Sequence, residues 1–422
     1  MFSDRDARWR LFAYLGLVVF GLLRFRAAPG DDLSASFIGC RLLAAGEGAS
    51  LYDFHPVWFH VVDTPAWKAA AAAAGIGGFP HPYVQTPLWA WGLRPLCATL
   101  SFAAFRELFL ALALVALAAL VEFSARAWAE KFLSPKWTVV ALVAIAMTTP
   151  FTYAMWLVQT HVVFLALTVA ALIAADRGRA AWAGSALALA AAVKITPALL
   201  LIYWLAKGQF RAAAWFVVVS ALGVGAIWLA VGPDGFTAFV ASMRRLSDVL
   251  LLSFNNQSLV AWLSFSPDRA DEVFNWRTLA LPPALKAVST VASVACVAAA
   301  GLWARRRPAD GAPAAFALVA LTAFSPIAWT HYYLALIPAA MILAERGGIV
   351  NWIAVGLIFA LDIKPLAVDA LAPALGGLTI LRSQLLAAGV AMVALAAQDF
   401  SRFVRLSKPS LSRLRESKDL AA

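Results

Sequence analysis

Charge is scarce in this sequence. Asp, Glu, Lys and Arg make up 14% of its 422 residues, hydrophobic residues make up 63%, and the mean hydropathy is +0.79. Soluble domains are about a quarter charged and about half apolar, so a soluble globular fold is excluded. The short alternating segments that a membrane β-barrel needs are missing as well. Cysteine is rare. Cys40, Cys97 and Cys296 form no CxxC pair, and Cys296 falls inside an apolar run. They predict neither a metal site nor an obligatory disulfide. Histidines and aspartates do not recur at metal-ligand spacing, so no metal is assigned. No internal repeat is visible, and the Ala-rich stretches 69–74 and 188–192 reflect biased composition and close helix packing. Arg5, Arg8 and Arg10 precede an apolar run with no small-residue cleavage site after it, which predicts a retained span rather than a signal peptide.

What is abundant is apolar sequence in windows of about 18–22 residues, the length that crosses a hydrocarbon core. The chain therefore reads as an all-α polytopic membrane protein. Predicted spans cover 9–25, 102–123, 137–151, 155–175, 212–231, 285–303, 313–324, a stretch ending at Glu345, 350–363 and 378–397. The run 180–206 is broken by Lys194 and Pro197, and predicts two half-crossings that meet near one face. A lysine in mid-bilayer would cost about 2.5–3.5 kcal/mol on insertion scales. The sum is roughly twelve crossings. One transmembrane domain covers 1–398, with a first extracytoplasmic loop at 24–101 that carries interfacial helices. A second such loop is at 232–283, and a basic tail at 399–422.

The net charge of +11 does not signal nucleic-acid binding, because the basic residues sit in short connections: Arg126/Lys131/Lys136, Arg177/Arg179, Lys207/Arg211 and 305–307. The positive-inside rule puts those connections and both termini in the cytoplasm. Acidic residues collect on the opposite side: Asp31, Asp32, Glu47, Asp53, Asp63, Asp234, Asp248, Asp268, Asp271 and Glu272.

The first loop holds the most concentrated chemistry. Adjacent carboxylates at a membrane edge, where like charge and partial burial raise a carboxyl pKa, suit a general base. An Asp before Leu-Ser-Ala-Ser suits a helix N-cap equally well. His81, Tyr83 and Gln85 follow in an aromatic and proline-rich run. Cationic candidates for an anion are Lys194, Arg244 and Arg245; a snorkelling lysine and arginines on lipid headgroups are the plainer readings. Asn256 and Gln257 could bind a sugar or simply cap turns. His331 follows a Ser-Pro break at a helix end, and His55, His60 and His161 are read as structural.

Asp32-Leu33, Phe37, Arg41, Leu43, Gly46 and Tyr52-Asp53 occur in an order that resembles the first loop of glycosyltransferase family 87. Tyr83 with Pro87-Leu88 and Pro95-Leu96, Lys194 with Pro197, Asn256-Gln257-Ser258-Leu259, and Ser325-Pro326 with Trp329 and His331 extend the resemblance over nearly the whole chain. The departures are Leu33 and Ser36 where the family often has an aromatic, Thr86-Pro87 where it has a double proline, and Tyr332 where it has a second histidine.

The resemblance implies a GT-C fold and an inverting glycosyltransferase without a cofactor. Such an enzyme moves a hexose, usually mannose, from a polyprenyl-phosphate sugar to a hydroxyl of a lipid-linked or glycan acceptor. The partners it implies are that donor, a glycolipid or glycan acceptor and membrane lipids. The place it implies is the outer face of the bacterial inner membrane. Asp32 becomes the expected base, with Asp31 tuning it. Lys194, His331, Arg244 and Arg245 become the expected donor-phosphate groups, and His81, Tyr83, Gln85, Asn256 and Gln257 secondary sugar contacts. Two rivals are weighed. A twelve-span transporter would show two similar halves and a short first loop. An O-antigen ligase or polymerase carries its large loop late in the chain.

Overall fold

The computed structural model describes residues 4–55, 57–77, 80–264, 275–362 and 383–407. Asp268, Asp271, Glu272 and the basic tail from 408 onward lie outside the described residues, as does the first part of the predicted span 378–397.

The fold is helical, with one small antiparallel pair of strands. Helix α1 (Asp4–Phe25) leads to the first loop, which is built of α2 (Asp31–Ala44), a short 3-10 turn (Gly48–Tyr52), α3 (Pro65–Ala73) and α4 (Pro87–Thr99). The bundle continues through α5 (Phe102–Trp128), α6 (Pro135–Ala146), α7 (Thr149–Trp156), α8 (His161–Asp176), α9 (Ala180–Val193), α10 (Leu200–Lys207) and α11 (Phe210–Ser247). The second loop holds β1 (Val249–Leu252), α12 (Leu259–Leu263) and β2 (Arg277–Ala280). It is followed by α13 (Pro283–Arg306), α14 (Ala312–Ala323), α15 (Leu336–Arg346), α16 (Ile349–Asp362) and α17 (Ser383–Ser407).

Local chemistry sets many of these boundaries. The side chains of Ser101, Ser134 and Thr148 accept from backbone N–H groups in the first turns of α5, α6 and α7, supplying partners that a helix start lacks. Proline stands in the first turn of α4, α6, α7 and α13, where its missing N–H costs nothing.

Among the described residues, three helices are long and apolar enough to cross a membrane alone: α5, α11 and α13. The bent pair α6 and α7, with 69° between them, makes a fourth if taken as one span. Several of the remaining apolar helices are shorter, so the expected count of roughly twelve crossings is not established by helix length. Phe210–Ser247 exposes Val217, Val218, Leu222, Val224 and Leu229, as a lipid-facing helix does.

Four expectations are corrected. The predicted loop beginning at 232 starts with helix, because α11 resumes after a break at Gly232 (φ 68°, ψ −177°) and continues to Ser247. The predicted spans 137–151 and 155–175 are cut differently, by the bend after Ala146 and by the polar Gln159-Thr160-His161 step. Asp31 and Asp32 are not N-caps, since Gly30 holds that position and both carboxylates lie in the first turn of α2. Cys40 and Cys97 are joined as a disulfide, with Cα atoms 6.5 Å apart, tying α2 to α4.

The expected break in 180–206 is present. Helix α9 stops at Val193, Lys194 is extended at φ −136° and ψ 122°, and Pro197 opens a 3-10 turn before α10.

Charged pairs gather at the ends of helices. Arg10 meets Glu122 near the end of α5, Lys207 meets Asp176 at the end of α8, and Arg346 meets Asp310 ahead of α14. Helix α8 has 16 residues, which at 1.5 Å per residue separates Asp176 from His161 by about 22 Å. His161 belongs to the end of the bundle where the candidate site lies.

Candidate active site

Asp32 is positioned by backbone strain as much as by packing. Gly30, at φ +69°, turns the chain into α2, and a Cβ there would meet Arg106 Cγ at 3.1 Å. Gly30 N–H donates to the carbonyl of Trp156, which brings the end of α7 against the start of α2. Two residues later Val158 takes φ 50°, left-handed backbone that a β-branched residue rarely adopts. That turn delivers Gln159, whose side-chain amide donates to Asp32 Oδ2. The other carboxylate oxygen, Oδ1, accepts from His81 Nδ1 at 2.6 Å.

The Asp32 carboxylate is held at both oxygens yet remains partly open, with 28% of its side chain accessible. For His81, burial disfavours the imidazolium. The hydrogen bond to Asp32 and the charges of Asp32 and Asp31 outweigh that effect and hold its pKa above the ordinary imidazole value. Burial raises the Asp31 carboxyl, His81 opposes the rise, and Asp32 adds to it.

These groups line a cleft with about 460 Å³ of open space. Asp32, His81, Gln85 and Gln159 face Lys194, Tyr332, Trp276 and Trp329 across it. Lys194 Nζ sits 3.6 Å from the centre of the Tyr332 ring, a cation–π contact worth about 0.5–2 kcal/mol. Lys194 forms no ion pair among the described residues. The aromatic wall is continuous, with Trp276 5.5 Å from Trp329 and 5.8 Å from His81, centre to centre. Trp276 is itself strained, at φ 51°, and its carbonyl accepts from Phe59 N–H. Val158 and Trp276, the two non-glycine residues with positive φ among the described residues, thus both border the cleft or adjoin a residue that does. Strain of this sort costs about 1–3 kcal/mol each and concentrates at functional sites.

The remaining expected residues are spread between this cleft and the scaffold. His331 is 2% exposed, with both ring nitrogens buried and unpartnered, 4.7 Å edge-on from Tyr332. It stands behind Tyr332 rather than in the cleft lining. Tyr83 is buried in packing: its hydroxyl donates to Thr86 O at 2.6 Å and accepts from Ala90 N–H. Asn256 and Gln257 lie away from the cleft. Asn256 donates to Leu251 O and accepts from Ala328 N–H, and Gln257 N–H donates to Ala328 O at 2.6 Å. With Tyr333 Oη donating to Gln257 O, they clamp the second loop onto the segment that presents Trp329, His331 and Tyr332.

Arg244 and Arg245 do not line the cleft either. Arg245 donates to Tyr52 O at 2.9 Å and lies 4.0 Å over the Phe54 ring, and its charge opposes the burial that raises the Asp53 carboxyl. Two residues were missed by reading the sequence. Gln159 gave no signal beyond a polar break between apolar runs. His161, set aside as structural, stacks on Tyr332 at 4.5 Å with its Nε2 buried and unpartnered.

The arrangement places a carboxylate, an aromatic wall and a cation with no ion-pair partner among the described residues around one cleft. That set can take a proton from a hydroxyl on one side and hold an anion on the other.

Comparison with known proteins agrees with this chemistry. The family model described as "Glycosyltransferase family 87" matches residues 83–328, more than half of the chain. Lys194 falls inside the match, Asp32 before it and His331 just after it. A polyprenol-phosphate-mannose-dependent alpha-(1-2)-phosphatidylinositol mannoside mannosyltransferase from Mycobacterium tuberculosis is 26% identical over 179 residues. The aligned part is 40% of this chain and 37% of that protein.

Proposed function

The chain belongs to glycosyltransferase family 87, and on that premise we propose that it moves a hexose, mannose first among them, from a polyprenyl phosphate to a hydroxyl on a lipid-linked or glycan acceptor. Mannose and the lipid-phosphate donor are supported by the activity for which the mycobacterial relative is named. The site is proposed to face outward from a bacterial inner membrane, with both termini inside, because basic residues fill the opposite connections.

Asp32 acts as the base. Its carboxylate takes the acceptor O–H proton as that oxygen bonds to C1 of the sugar. The bond from C1 to the phosphate oxygen breaks, and its electron pair leaves with the phosphate. Attack opposite the leaving group inverts the anomeric centre. Lys194 holds the departing phosphate, with His331 supporting Tyr332 and the lysine from behind. His81 and Gln159 fix the carboxylate for this step, and Gln85 with the tryptophan wall receives sugar.

The observation that carries this reading is that Asp32 and Lys194 line one cleft although 162 residues of chain separate them. The experiment is incubation of the purified protein with polyprenyl-phosphate mannose and a membrane lipid extract, followed by mass spectrometry. A mannosylated product with free polyprenyl phosphate supports the reading. Uptake of an intact substrate into sealed vesicles, with no bond cleaved, would make it a transporter instead.

A further inference from the structure

A second, narrow cavity begins where the catalytic cleft ends. Lys194 and Tyr332 line both. Beyond them the second cavity turns apolar, walled by Phe164 and Leu165 of α8, Leu200 of α10, and Leu318 and Leu321 of α14. Its polar groups include His161 beside Lys194 at the shared wall.

We infer that this cavity takes the first isoprene units of the donor lipid, and that His161 binds the donor phosphate together with Lys194. This rests on the proposed function and adds to it a route for the lipid and a further binding residue.

Charge complementarity selects the occupant. Lys194 has no carboxylate within ion-pair distance among the described residues. His161 Nε2 is buried without a partner, a cost that an anion accepting a hydrogen bond would remove. The rings of His161 and His331 are 6.2 Å apart, and both pack on Tyr332. A phosphate at Lys194 would leave its sugar toward Asp32 and its chain toward Leu318 and Leu321. The molecule also has a larger apolar cavity, of about 310 Å³, between α6, α15 and α16. Its lining contains no Lys, Arg or His among the described residues, so nothing there would hold a phosphate. Size alone favours the larger cavity; charge favours the one joined to the catalytic cleft.

The test uses the full-length protein and a prenyl phosphate carrying a photoreactive group near its first isoprene units. Labelled peptides from α8 or α14 are expected. Label confined to α6 or α16, or no label anywhere, overturns the inference. Kinetics give a second readout. Leu321→Trp should raise KM about tenfold for a prenyl-phosphate donor while leaving a donor whose phosphate carries only a methyl group nearly unchanged. His161→Ala should raise KM for both donors alike, with kcat changed less. An unaltered preference for the prenyl over the methyl donor in Leu321→Trp contradicts the route, and an unaltered KM in His161→Ala contradicts the phosphate contact. If prenyl phosphate labels α8 and α14 but the wild-type protein cleaves no prenyl-phosphate sugar, the lipid groove stands and the proposed function fails.

Discussion

His81 Nδ1 lies 2.6 Å from Asp32 Oδ1, across 49 residues of chain, and joins the proline-rich run of the first loop to the start of α2. The contact gives the carboxylate a fixed direction and a charged neighbour. It also makes the stability of the site depend on pH.

The pKa of His81 is raised, so its contribution is full below the ordinary imidazole value of about 6.5 and is lost as pH climbs through the higher folded value. His81→Gln should therefore lower the melting temperature more at pH 6 than at pH 9. Melting curves of both proteins across that range check the sign. An equal gap at both pH values would mean that the ion pair contributes nothing to the fold.

Lys194→Met keeps the length and apolar stem of the side chain and removes its charge. The contact to a leaving phosphate is a charge-assisted hydrogen bond, worth about 1.5–3 kcal/mol, so kcat/KM should fall roughly 10- to 100-fold. Lys194→Arg should restore part of this, because a guanidinium keeps the charge, binds phosphate oxygens and can stack on the Tyr332 ring that the ammonium now faces at 3.6 Å. Steady-state kinetics on the two variants decide it. Full activity of Lys194→Met would remove the lysine from the site.

Gly30→Ala tests the strained entry to α2. At φ +69° a non-glycine residue pays about 1–2 kcal/mol. The new Cβ also presses on Arg106, whose guanidinium holds Ala28 O and Arg26 O. Lower thermal stability with a larger loss of transfer than the melting shift explains is expected. Activity that merely tracks stability would show that Gly30 has no part in aiming Asp32.

The Cys40–Cys97 disulfide closes a separation of 57 residues. Bridges of that span stabilise by about 2–4 kcal/mol. Cys97→Ser, or reduction by dithiothreitol, should lower the melting temperature, and non-reducing peptide mapping should find the two cysteines linked. Free thiols at both positions in protein purified from the membrane would contradict the bridge.

Some of this was legible in the sequence and some was not, for physical reasons. Lys194 stood out because a charge and a proline in an apolar run have few places to go, and the chain does break there. Asp32 stood out because two carboxylates ended an apolar span. Gln159 was hidden inside a window whose mean hydropathy is dominated by its neighbours, and only the strained Val158 turn reveals where its amide points. The disulfide pairs residues on two helices, which spacing along the chain does not encode. The helix beyond Gly232 was hidden because Gly-Pro reads as a stop, whereas α11 bends there and continues. Tyr83, Asn256 and Gln257 carried the family's pattern, yet the structure uses them to hold the loops that form the cleft.

The most direct measurement compares the wild-type protein with Asp32→Asn, purified in parallel, for transfer from polyprenyl-phosphate mannose. Asparagine keeps the shape and a hydrogen-bonding oxygen but cannot take the acceptor proton. Transfer should fall by about 10²–10⁴-fold while the melting temperature and donor binding stay close to wild type. Turnover near the wild-type rate in a folded Asp32→Asn protein would contradict the assignment of Asp32 as the base.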